Sequence, residues 1–178
     1  EFLGCMNPTL EGGKYKGYTP FLDSLSQHSL VFTNAYANGR KSIDAMPSVL
    51  ASIPALTMPY VISQYSGNRI NSVASLLKDE GYQTAFFHGA PNGSMGFDGF
   101  AKIAGFDSYY GKTEYNNDEH FDGIWGIWDH HFFQRFADEM KAMQEPFCTA
   151  LFSLSSHHPF KVPAEYEGCF PEGPLPVE

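Results

Sequence analysis

Phe147-Cys148-Thr149-Ala150-Leu151-Phe152-Ser153-Leu154 is an almost unbroken apolar run, and Ser155-Ser156-His157-His158-Pro159-Phe160 follows it directly. A run of this length and character reads as a strand buried on both faces. Such strands belong to parallel sheets covered by helices. Working back along the chain, Tyr82-Gln83-Thr84-Ala85-Phe86-Phe87 reads the same way and ends at His88-Gly89. Leu30 to Tyr36 is a third strand candidate, broken by Asn38-Gly39.

Helical patterns fill the intervals. Thr19-Pro20 starts one that runs to about Gln27. Ile43, Met46, Val49, Leu50 and Ile53 recur at helical spacing, with Pro47 in the first turn, where a missing N–H costs little. Val73, Leu76 and Leu77 mark a helix closed by Gly81. A glycine-interrupted pattern covers about 94–104, and another helix covers about 129–144, before Pro146. Alternating helices and buried strands predict an α/β fold, a mostly parallel sheet with helices on both faces. The first 18 residues and the proline-rich last 20 read as loops, and 178 residues suffice for one domain with a core.

In such sheets the working residues sit in loops beyond the carboxyl ends of the strands. Residues 37–43, 88–97 and 155–160 qualify, and they carry Ser42, His88 and His157. Ser42 follows Arg40-Lys41, the only adjacent pair of cations, and stands at or beside a helix N-terminus, where free N–H groups favour an anion. A serine hydroxyl needs a base, a cation or a metal to act as a nucleophile, and Arg40 and Lys41 could assist electrostatically. An ordinary N-cap serine would occupy the same position. His157 could donate to a phosphate oxygen or cap a strand end. His88 stands at the same edge without an obvious partner. Trp125 fits either an aromatic wall for a glycerol or sugar group or core packing. His130 and His131 read as surface or packing residues.

A formal charge of −9 excludes the counterion-releasing footprint of a nucleic-acid binder and favours a small anionic ligand at a local cationic spot. Cys5, Cys148 and Cys169 lack zinc-site spacing and read as isolated thiols. No apolar run approaches the roughly 20 residues that cross a bilayer, and no signal peptide is evident, so the chain as given is expected to be soluble.

The segments Asn38-Gly39-Arg40-Lys41-Ser42-Ile43-Asp44, Phe86-Phe87-His88-Gly89 and Ser155-Ser156-His157-His158-Pro159-Phe160 resemble the lipoteichoic acid synthase-like branch of the sulfatase/alkaline phosphatase superfamily. The resemblance runs from Thr19 to about Phe170. It implies one incomplete sulfatase-like catalytic domain over 1–178, placed outside the cytoplasm and anchored in a membrane through upstream segments. It implies a phosphoglycerol transferase or phosphodiesterase that acts on phospholipid head groups or a small phosphodiester. Ser42 would be nucleophile and metal ligand, and His157 the head-group contact. The implied cofactor is one divalent ion, manganese first, with magnesium or zinc as alternatives.

Three departures accompany the resemblance. The family's first acidic metal ligand would precede Glu1, and its Asp-His ligand pair would follow residue 178. The isolated chain is therefore expected to be inactive. The family's Trp-Asn-Arg segment is replaced by Asn92-Gly93-Ser94-Met95-Gly96-Phe97. A formylglycine sulfatase is disfavoured, because that modification needs Cys or Ser followed by x-Pro-x-Arg, whereas Asp44 and Met46 stand there. Phosphoethanolamine transfer, another superfamily hydrolysis, and a non-catalytic glycan or lipid head-group binding domain remain the alternatives.

Overall fold

The computed structural model describes residues 3–7 and 9–169. They form two compact units, one holding the described residues up to Tyr36 and from Tyr166 on, the other Ala37–Glu165. In the first, helix α1 (Pro20–Ser26) starts behind Thr19 with proline in its first turn, as the Thr-Pro pair predicts. The Asp23 carboxylate accepts the backbone N–H groups of Gly4 (3.2 Å) and Cys5 (3.1 Å), which fastens the preceding loop.

The strand expected over 30–36 does not form. Leu30, Phe32 and Tyr36 are 83%, 71% and 90% exposed. An extended segment becomes a strand only when a neighbour takes up its N–H and C=O groups, and no described segment pairs with this one.

The second unit contains α2 (Ser42–Ala51), α3 (Val73–Asp79), β1 (Gln83–His88), α4 (Phe97–Ile103), β2 (Ser108–Tyr110), α5 (Lys112–Tyr115), α6 (Asp129–Ala142) and β3 (Phe147–Phe152). The three strands form one parallel sheet in the order β2-β1-β3, with Phe86 opposite both Tyr109 and Ala150. Neither β2 nor α5 is among the elements that the sequence pattern predicts.

Side chains alternate between the faces of β1, and each face has its own core. Phe86 packs with Met46 of α2, Ala74 of α3 and Phe97, Phe100 and Ala101 of α4. Ala85 and Phe87 pack with Ile127 and with Phe132 of α6. Both faces are thus covered, as the buried-strand patterns require. Thr84 and Asp107 lock the entry to β2: the Thr84 N–H and hydroxyl both reach Asp107 Oδ2 at 2.9 Å.

His88 follows Phe86 by two residues and therefore shares its face. It sits at the carboxyl end of the central strand, beside the end of β3. That end of the sheet collects the site residues.

Candidate active site

A cleft of about 340 Å³ opens at the carboxyl ends of β1 and β3. Its lining includes Ser42, His88, Met95, Trp125, Phe152 and His157. The three residues singled out from separate loops thus meet in one concavity.

Ser42 is the first residue of α2, and Lys41, in extended conformation, holds the N-cap position. No side chain caps this end of the helix. The N-cap alternative for Ser42 is therefore not what the fold uses, and its hydroxyl stays exposed at the N-terminus of the helix. Helix α2 is fixed by burial of Met46 and Pro47, with Ile43 and Leu50 packed against the Phe86 core. A Cβ on Gly39 would lie 2.6 Å from that of Asp44, so the approach to the helix passes too close for any larger residue. Arg40 and Lys41 are exposed on this turn and do not line the cleft.

His88 is fully buried, its ring 5.2 Å from Phe97 and 5.3 Å from Phe152 between centroids. Its Nδ1–H donates to the Phe152 carbonyl at 3.1 Å, the only sense this contact permits. Nε2 is left as an unprotonated acceptor with no protein partner among the described residues. Burial pulls this imidazole below its ordinary pKa, against the opposing effects of the Phe152 carbonyl and Asp129.

His157 is exposed, and its Nδ1–H donates to the His158 carbonyl at 2.9 Å. Its ring lies 4.3 Å from that of Trp125. The Trp125 indole N–H donates to the same His158 carbonyl at 2.8 Å. Trp125 is 41% exposed and forms part of the cleft wall, so of its two sequence readings core packing is excluded. Asp122 shapes that wall: its Oδ1 accepts the N–H groups of Ile124 and Trp125 at 2.7 Å and of Gly126 at 3.1 Å.

Asp129 holds the loop that bears His157. Its carboxylate accepts the N–H groups of Leu154 (2.9 and 3.1 Å) and Ser155 (2.8 Å), while its own N–H donates to Ser155 Oγ at 2.8 Å. The sequence offers no sign of this role, because the partners lie 25 and 26 residues further on.

A divalent ion in the cleft would find Ser42 Oγ as an oxygen donor and His88 Nε2 as an unpartnered nitrogen. Among the described residues, the one cluster of three or more His, Cys, Asp or Glu side chains spaced for a metal lies elsewhere, at His130, His131 and Glu165. The described cleft residues therefore do not complete a metal shell on their own.

A family profile described as Sulfatase matches residues 3–175. The chain belongs to the sulfatase family. Among its relatives is lipoteichoic acid synthase 2 of Bacillus subtilis (strain 168), 28% identical over 162 residues that cover 89% of this chain and 25% of that protein. Phosphoglycerol transferase I of Escherichia coli (strain 55989) is 28% identical over 160 residues, which cover 79% of this chain and 20% of that protein. A solved alkaline phosphatase superfamily protein from Vibrio parahaemolyticus superposes with a TM-score of 0.77 at 27% identity, covering 92% of this chain and 39% of the other. These relatives bear out the sulfatase-family resemblance to lipoteichoic acid synthases, and the parallel α/β architecture with it. The chain spans about a quarter of the first relative's length and a fifth of the second's.

Proposed function

We infer that this sulfatase-family chain is part of the catalytic domain of a metal-dependent phosphoglycerol transferase or phosphodiesterase, with a phospholipid head group as donor. One observation carries the reading. An exposed serine hydroxyl at the start of a ten-residue helix lines the same cleft as two histidines delivered by the ends of parallel strands. The names of the relatives, a lipoteichoic acid synthase and a phosphoglycerol transferase, support the choice of group transferred.

In this reading Ser42 Oγ bonds to phosphorus while the bond from phosphorus to the lipid oxygen breaks, and the hydroxyl proton ends on the released lipid alcohol. An acceptor hydroxyl or water then reverses the exchange and frees Ser42. Helix N–H groups at Ser42 stabilise the phosphate charge. His157 donates to a phosphate oxygen, and Trp125 walls the glycerol side. Arg40 and Lys41 raise the local potential from the flank rather than by contact. A divalent ion, manganese first, would supply Lewis-acid polarisation and a lower hydroxyl pKa when bound. Ser42 would be its oxygen ligand from this chain, with His88 Nε2 in the same cleft.

Lipid head groups as donors imply work at a membrane surface, on the extracytoplasmic side, by a protein anchored through other segments. Among the described residues, no helix is long and apolar enough to cross a membrane.

Ser42→Ala in the full-length protein should abolish turnover of phosphatidylglycerol and of a chromogenic phosphodiester while leaving the thermal midpoint in place. Wild-type turnover by that variant rejects the nucleophile. Saturable head-group binding without turnover by the wild-type protein favours a binding domain instead.

A further inference from the structure

The first turn of α6 carries Asp129, His130 and His131 in succession. Asp129 grips the start of the loop after β3, as described above. The same turn also meets the far end of that loop. Glu165 Oε1 lies 2.7 Å from His130 Nε2 and 4.0 Å from His131 Nε2. The three donor atoms lie within 4.8 Å of one another, and the two imidazole centroids are 4.0 Å apart.

This triangle has the dimensions of a metal site. Donors about 2.1 Å from a tetrahedral ion stand roughly 3.4 Å from one another. Small side-chain rotations would bring the observed separations to that value. Two imidazoles and a carboxylate, with no thiolate, suit a borderline ion such as zinc over the hard ions magnesium, calcium or manganese. The His120 ring stacks on His131 at 3.6 Å and 10°, and Tyr115 hydroxyl bonds His120 Nδ1 in turn. The stacked His120 ring, itself held by Tyr115, thus fixes the plane of the His131 imidazole.

We propose that His130, His131 and Glu165 form a zinc site, separate from the Ser42 cleft, that fastens the loop carrying His157. Water would complete the tetrahedron. With Asp129 at one end of residues 154–165 and the metal at the other, the loop is pinned to one helix turn at both ends. The metal site itself does not depend on the catalytic reading of Ser42.

The test is zinc titration of the full-length protein after EDTA treatment and desalting, followed by calorimetry, with cobalt absorption as the second readout. Wild type and Ser42→Ala are both expected to bind zinc at this site and to gain thermal stability from it. His131→Ala and Glu165→Gln should weaken that binding by roughly tenfold or more and remove the intense tetrahedral cobalt bands. Both variants change partly exposed residues, and their thermal midpoints in EDTA should match wild type, which separates ligand loss from misfolding. Zinc isotherms and cobalt spectra unchanged in both variants overturn the proposal, as does a wild-type protein that takes up no zinc. The His130–Glu165 contact is then an ion pair only. Either failure leaves the Ser42 reading intact, because turnover is not measured.

Discussion

Replacing Asp129 by alanine should loosen the cleft without altering Ser42, His88 or His157 themselves. The carboxylate satisfies two backbone donors, Leu154 N–H through both oxygens and Ser155 N–H through one. A hydrogen bond to an ionised acceptor contributes about 1.5 kcal/mol at the lower end of its range, so losing two costs about 3 kcal/mol if water does not replace them. The loop is partly exposed, and water recovers some of this, which leaves an expected loss of about 2 kcal/mol. Asp129→Asn keeps one acceptor oxygen and should lose roughly half as much. Urea denaturation of both variants measures the stability change. Steady-state kinetics on phosphatidylglycerol should show a raised KM with a smaller fall in kcat, because His157 and the wall against Trp125 lose their anchor. Asp129→Ala within about 0.5 kcal/mol of wild type, with an unchanged KM, would show that the loop stands without this carboxylate.

Two further outcomes follow from the packing. Gly126→Ala should destabilise by about 2 kcal/mol, because a Cβ there would lie 2.5 Å from the Gly89 carbonyl oxygen and 2.6 Å from Leu154 Cδ1. An unchanged urea midpoint would count against so tight an approach. Stability should also fall with pH below about 6.5, the ordinary histidine value, down through the lower pKa that His88 has when folded. Over that window the unfolded chain binds a proton that the buried imidazole refuses. His131, depressed in the same sense, adds to the slope. Denaturation curves across this window should show a shallower slope for His88→Gln than for wild type, and equal slopes would remove His88 as the cause.

The legible parts of the fold are those set by local pattern. β1 and β3 are continuous apolar runs, and α1, α2, α3 and α6 begin or end at prolines, glycine or caps that sequence displays. The expected strand over 30–36 fails because pairing depends on a neighbour, which no local pattern can supply. β2 is missed because three residues carry too little periodicity. The convergence of Ser42, His88 and His157 follows from strand-end logic, although the loop before Ser42 does not follow a strand. Ser42 reaches the cleft because α2 packs on the Phe86 face. Asp129 and the paired Glu165 are illegible for one reason: their partners are distant in sequence and joined by tertiary packing. The orphan nitrogen of His88 is likewise a product of packing, since only the fold decides that Nδ1 is spent on Phe152.

Trapping the covalent intermediate addresses the catalytic reading most directly. Full-length protein, mixed briefly with phosphatidylglycerol and manganese and quenched in acid, is digested and its peptides are weighed. The expected result is a phosphoglycerol adduct on the peptide containing Ser42, absent from Ser42→Ala. An adduct on another residue, or turnover that persists in Ser42→Ala, would contradict a serine nucleophile at the start of α2.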